Sequence, residues 1–82
     1  MKDKTFTLTV AKVDEVVFSG EALSIHLPGM AGDMEILANH EPLISPLRQG
    51  LLTVTKADKT KEKIEISKGT LEVSNNQVTV LI

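Results

Sequence analysis

The sequence predicts an all-β fold of short antiparallel strands, a sandwich or a barrel. Three observations carry this expectation: apolar residues recur with period two along most of the chain, turn residues break the pattern at short intervals, and no helical period lasts beyond a turn.

The first strand is expected at residues 6–10, where Phe6, Leu8 and Val10 share one face and Thr7 and Thr9 the other. Over residues 23–27 the alternation places Leu23, Ile25 and Leu27 inward and His26 on the opposite face as a solvated strand residue. Leu52 and Val54, Ile64 and Ile66, Leu71 and Val73, and Val78 and Val80 extend the inward set. Turns are expected at Ser19-Gly20, Pro28-Gly29, Gly50, Ala57 to Lys59, Gly69 and Ser74 to Asn76. Asparagine tolerates positive φ, so Asn75-Asn76 reads as a tight hairpin of the primed type.

Between Met30 and Leu43 the alternation becomes irregular, and an acid, two methionines, a histidine and a proline crowd into what reads as a connection. Pro42 and Pro46 keep it from becoming a long helix. An ordered connection that adds little core costs entropy, which points to a partner-facing role. Met30 and Met34 around Asp33 offer an adaptable contact patch, unless one or both fold back beneath the segment. With no cation nearby in sequence, Asp33 is expected to find its partner outside the chain.

The 82 residues form one domain, 1–82, because a chain of this size removes only roughly 60% of its unfolded surface from water. Val, Ile and Leu dominate the apolar residues, Trp and Tyr are absent, and Phe6 and Phe18 are the two phenylalanines, so the core is expected to be aliphatic. Sugar-binding modules and stacking platforms for single-stranded nucleic acid usually need exposed aromatic rings. Nine basic against eleven acidic residues give a net charge of −2, a field that does not gather phosphate polymers, so no nucleic-acid partner is expected. The absence of cysteine removes disulfides, thiolate nucleophiles and thiolate metal sites, and fits a reducing compartment. The charged lead-in, residues 1–5, runs straight into a strand pattern, and no stretch nears the roughly 20 apolar residues of a membrane helix. No direct membrane insertion is expected; a link to a membrane would run through another protein.

Catalytic and cofactor chemistry finds little support. Asp33, Glu35, His40 and Glu41 fall within nine positions, yet one loop histidine does not make a zinc site, and no metal is expected. Neither Ser19-Gly20 nor Ser45-Pro46 resembles a nucleophile elbow, and the scattered glycines form no phosphate loop, so neither catalytic residues nor cofactors are expected. Lys56, Lys59, Lys61 and Lys63 around one turn, diluted by Asp58 and Glu62, read as a device against edge-to-edge sheet pairing. Arg48, the only arginine, is an interface candidate because its planar fork suits carboxylates; the plainer alternative is that it caps loop carbonyls.

Several of these segments, in this order and spacing, carry a resemblance. Phe18-Ser19-Gly20, Gly32-Asp33, the run His40 to Leu43, Arg48-Gln49-Gly50, the run Gly69 to Val73 and the closing run Val78 to Leu81 together resemble the amino-terminal β-sandwich domain of the F-type ATP synthase epsilon subunit. The likeness spans nearly the whole chain. It departs from the family pattern at Glu35, Asn39 and Lys68, where glycine is common; of these, Glu35 most affects the expected shape of the loop. The resemblance implies an antiparallel sandwich of about ten strands and a non-catalytic rotor subunit of the central stalk of a proton-translocating ATP synthase. It implies two partners, the gamma subunit and the membrane c-ring. The ring-facing loop would be Met30, Ala31, Gly32, Asp33 and Met34, and the gamma-facing residues Lys12, His40 and Ser45. The expected location is the cytoplasmic face of a bacterial inner membrane, peripheral through the complex. The family commonly continues into a two-helix hairpin, which this sequence does not show after Ile82; either the natural subunit is of the short kind, the favoured reading, or the chain is cut at the domain boundary, and no nucleotide site is expected. The competing reading is a generic β-sandwich adaptor.

Overall fold

A computed structural model describes residues 4–82; residues 1–3, part of the charged lead-in, lie outside the described residues. Eight strands follow one another: β1 (Phe6–Ala11), β2 (Val16–Gly29), β3 (Gly32–Leu37), β4 (Leu43–Leu47), β5 (Gly50–Lys56), β6 (Lys61–Ile66), β7 (Gly69–Ser74) and β8 (Gln77–Leu81). Among the described residues there is no helix.

The 14-residue β2 belongs to two layers. Its first half pairs with β1, which leads through β8 and β7 to β4; its second half lies between β3 and β5, and β5 leads to β6. Gly29 at the end of β2 also pairs with Leu47 of β4. All strands contribute to one contiguous core, which is aliphatic apart from Phe6 and includes Leu8, Ile25, Leu52, Leu71 and Val80, all fully enclosed.

The alternation expected at β1 and at β5 through β8 is present, and the turn between β7 and β8 holds Asn75 at φ 51° and Asn76 at φ 59°, the double positive φ of a primed hairpin. Other expectations need correction. Among the described residues the strands number eight, against about ten expected. One pairing, β1 with β8, is parallel. Ser19-Gly20 is no turn: Thr9 faces Ser19 and Leu8 faces Gly20 inside the β1–β2 ladder. Pro28-Gly29 still belongs to β2, and Met30-Ala31 make the turn. Leu23 does not point squarely inward, because the register with β5 slips between Ala22 and Ser24. This bulge lets Ala22 face the core in one layer and Ile25 in the other, three positions apart, where an unbroken strand would turn one of them outward. The segment expected to be a long irregular connection is largely β3, with Met34 and Ile36 directed toward the core.

Candidate partner-facing site at the β2–β3 turn

The tight turn that joins β2 to β3 is shaped by glycine and proline. A Cβ at Gly29 would lie 2.6 Å from the Gly32 carbonyl oxygen, and Gly32 itself has φ +141°, so neither position accepts a side chain without strain. Pro28 presses against the β4–β5 connection, where a Cβ at Gly50 would come within 2.9 Å of it.

Backbone bonds tie the turn down: Arg48 N donates to Pro28 O at 2.9 Å and Met30 N to Pro46 O at 3.2 Å. The Arg48 guanidinium then spreads over three segments. Nε donates to Gly29 O at 3.1 Å, Nη1 to Gln49 O at 3.3 Å and Nη2 to Asp33 Oδ1 at 2.7 Å. Arg48 therefore caps loop carbonyls, and the expectation that Asp33 lacks a cation within the chain is overturned. Fifteen positions separate the two residues and no sequence pattern links them; the β2–β3 turn and the β4–β5 connection bring them together. The pair is half-exposed, so its contribution to stability is small, about 0–1 kcal/mol. What it fixes is geometry.

The two methionines part company. Met30 stands out at the tip, 62% exposed, while Met34 is half-buried against the core. Ala31, Gly32 and Asp33 are exposed. On the outer face of this layer, β3 sets Asp33, Glu35 and Leu37 opposite Pro28, His26 and Ser24 of β2. Past β2 come Thr53 and Thr55 of β5, then Lys63 and Lys61 of β6. This gradient, from an acidic rim at β3 to a basic rim at β6, escapes a linear reading because it needs the strand order.

Lys12, His40 and Ser45 are not gathered into one patch. Lys12 follows β1, with its N donating to Glu15 O at 2.8 Å. His40 lies in the β3–β4 connection, where Nδ1 donates to Glu41 O at 2.8 Å, which assigns the ring proton to that nitrogen. Ser45 lies half-buried in the middle of β4, its hydroxyl donating to Pro46 O at 3.3 Å. Strands β8 and β7 separate β1 from β4. Beside His40, the Asn76 side chain joins three segments: Oδ1 accepts from Asn39 N at 2.7 Å and Nδ2 donates to Thr5 O at 2.9 Å. The sequence marked Asn76 only as a turn former.

Among the described residues no cluster of His, Cys, Asp and Glu could hold a metal ion. Asp33 lies near the start of β3 and His40 beyond its end; residues 33 and 37 alone stand roughly 13 Å apart at strand spacing. An open groove of about 390 Å³ runs along Pro46, Leu47, Lys68, Gly69, Thr70, Leu81 and Ile82. At the opposite hairpin tip, Lys56 pairs with Glu62 at 3.1 Å. There the Asp58 carboxylate accepts from the Thr60 hydroxyl at 2.6 Å and the Thr60 N at 2.9 Å, which holds its carboxyl below the ordinary aspartate range.

The sequence profile of the family described as the β-sandwich domain of the ATP synthase delta/epsilon chain matches residues 5–82. The ATP synthase epsilon chain of Bordetella parapertussis is 43% identical over 77 residues, covering 94% of this chain and 55% of that protein. The epsilon chain of Polaromonas naphthalenivorans is 44% identical over 77 residues, 94% of this chain and 56% of that protein. The chain thus spans about half the length of these relatives. Among solved structures, a chain of the Euglena gracilis mitochondrial ATP synthase superposes with a TM-score of 0.89 at 25% identity, over 99% of this chain and 52% of that one. A chain of the Tetrahymena thermophila mitochondrial ATP synthase central stalk and c-ring matches in fold, with a TM-score of 0.80 at 11% identity, covering 99% and 65%.

Proposed function

Because this chain belongs to the ATP synthase delta/epsilon β-sandwich family, we propose that it is a non-catalytic rotor subunit of the central stalk, coupling the membrane ring to gamma in a proton-translocating synthase. The observation that supports a ring-facing role for Met30, Ala31, Gly32, Asp33 and Met34 is the bracing of this turn by Arg48 and Pro46. A contact that transmits torque must not yield, and a tip tied to the next connection by backbone and side-chain bonds meets that need. Met30 supplies apolar contact, and Asp33 remains exposed enough to meet a basic group on a partner while held by Arg48. Rim charges of this kind set register and on-rate more than affinity.

Lys12, His40 and Ser45 are proposed as gamma-facing; spread as they are, they imply a broad contact rather than one patch. The working location is the cytoplasmic face of a bacterial inner membrane, reached through the complex. No nucleotide is proposed to bind: titration with ATP and magnesium is expected to leave the melting temperature unchanged, since a ligand stabilises only the state it binds. The function itself is tested by affinity purification of the tagged chain from detergent-solubilised membranes of its source. Gamma and ring subunits are expected to come with it; recovery of the chain without either overturns the reading.

A further inference from the structure

The two layers leave four stretches of strand edge without a neighbour, and three of them carry a device against pairing with another chain. In the first half of β2, the register slips on either side, between Val10 and Ala11 against β1 and between Ala22 and Ser24 against β5, and bulges twist an edge away from a flat partner. On β6, Lys61 and Lys63 stand exposed along the strand. On β4, Pro46 interrupts the edge, and its carbonyl is already taken by Met30 N.

Strand β3 lacks these; its exposed charges are the acids Asp33 and Glu35, which repel a like edge and admit a basic one. It contains no proline, lysine or bulge, its register with β2 is unbroken from Gly32 to Leu37, and β2 is its one strand neighbour. Its backbone groups that face away from β2 have no partner among the described residues. Natural sheets seldom leave an edge bare, because the unpaired groups template association.

We propose that β3 is a strand-accepting edge, and that its occupant is an extended segment of another protein whose side chains alternate between basic and aliphatic. Both halves of that pattern follow from β3. Its outward positions carry Asp33, Glu35 and Leu37; Asp33 is already engaged by Arg48, whereas Glu35 is exposed and makes no ion pair among the described residues. A residue placed beside Glu35 on an added strand is therefore favoured when it is lysine or arginine. The inward positions carry half-buried Met34 and buried Ile36 at the rim of the core, so the alternate residues of the added strand are aliphatic. Main-chain bonds supply affinity and the alternate side chains supply selectivity. A second copy presenting its own β3 would set acid against acid, which disfavours that pairing.

The test uses the 82-residue chain labelled with nitrogen-15 and a blocked hexapeptide of alternating lysine and valine at low salt. Saturable amide shifts confined to β3 and its flanks are expected, with slowed hydrogen exchange at those β3 amides that face away from β2. Glu35→Lys is expected to weaken binding at least tenfold and to gain binding of the alternating glutamate–valine peptide. A peptide with three lysines followed by three valines, equal in charge but without alternation, is expected to bind far more weakly. The proposal is overturned if no saturable binding occurs, if both lysine peptides bind alike, or if protection falls on β4 or β6. It is also overturned if sedimentation shows that β3 is occupied by a second copy of the chain.

Discussion

Two hairpin tips of this molecule are held in opposite ways. At the β5–β6 tip several bonds are local: Asp58 accepts from Thr60, Lys59 N bonds to Lys56 O at 2.8 Å, and Lys56 pairs with Glu62 across the same hairpin. The β2–β3 tip is held from outside, by Arg48 and Pro46 of the following strand pair. A tip stabilised by its own neighbours can move as a unit without disturbing the core, whereas a tip tied to β4 and the β4–β5 connection moves only if they move too. The second arrangement suits a surface that must transmit force, the first one that has only to remain soluble.

The largest expected effect sets the scale for both. Leu52→Ala, in β5 at the centre of the core, should cost about 2–5 kcal/mol in denaturant unfolding. Ile66 lies on the edge strand β6 and is slightly exposed, so Ile66→Ala should fall at the low end of that range. Next comes Gly29→Ala, which drives a methyl into the Gly32 carbonyl and should cost about 1–3 kcal/mol by overpacking. If Gly29→Ala were neutral, the β2–β3 tip would be as compliant as its counterpart, and the comparison would fail.

Arg48→Met removes the fork and leaves the core untouched. A loss of about 1 kcal/mol is expected, together with faster hydrogen exchange at the Met30 amide. At the other tip, Lys59 has φ 74°, a region that glycine enters freely, so the backbone accepts Lys59→Gly without strain, and exchange in β2 and β3 should stay unaltered. Seeing Met30 respond to Lys59→Gly would show that the tips are coupled.

The smallest effect is a titration. The Thr60 hydroxyl and amide lower the Asp58 carboxyl, so its contribution is present above the ordinary aspartate range and is lost as pH falls through the depressed folded value. Thr5 and Thr7 hydroxyls, each 2.8 Å from a Glu21 oxygen, act on Glu21 in the same direction. The Thr60 amide resonance should follow Asp58 with an acid-shifted midpoint; an unshifted midpoint would remove the Asp58–Thr60 bond from the description of that tip.

Legibility followed the same divide. Strands β5 through β8 could be read because each alternates cleanly between turn residues that act locally, and local chemistry is what a linear sequence displays. Long β2 could not, because Ser19-Gly20 looks like a turn unless β1 is known to lie beside it, and Leu23 looks inward unless the bulge is known. Strand β3 was hidden by the methionines and glycine around it. At the site, the residues of the turn were visible as a group, but Asp33 was paired outward because Arg48 is distant in sequence. Glu35, weighed in a rejected metal cluster and as a departure from a common glycine, proved to be an exposed acid on the unpaired edge.

The parallel pairing of β1 with β8 bears on how the chain is made. Thr7 meets Gln77 and Ala11 meets Leu81, so the first strand cannot complete its sheet until β8, far along the chain, has been synthesised. Until then Phe6, Leu8 and Val10 have only β2 beside them, and an apolar strand waits with one edge open. Contacts that join the two ends of a chain are slow to form, and such intermediates are prone to associate. The domain is therefore expected to acquire its stable fold only once β8 has left the ribosome. Its most vulnerable moment would come just before β8 is released, when a chaperone holding β1 would matter most.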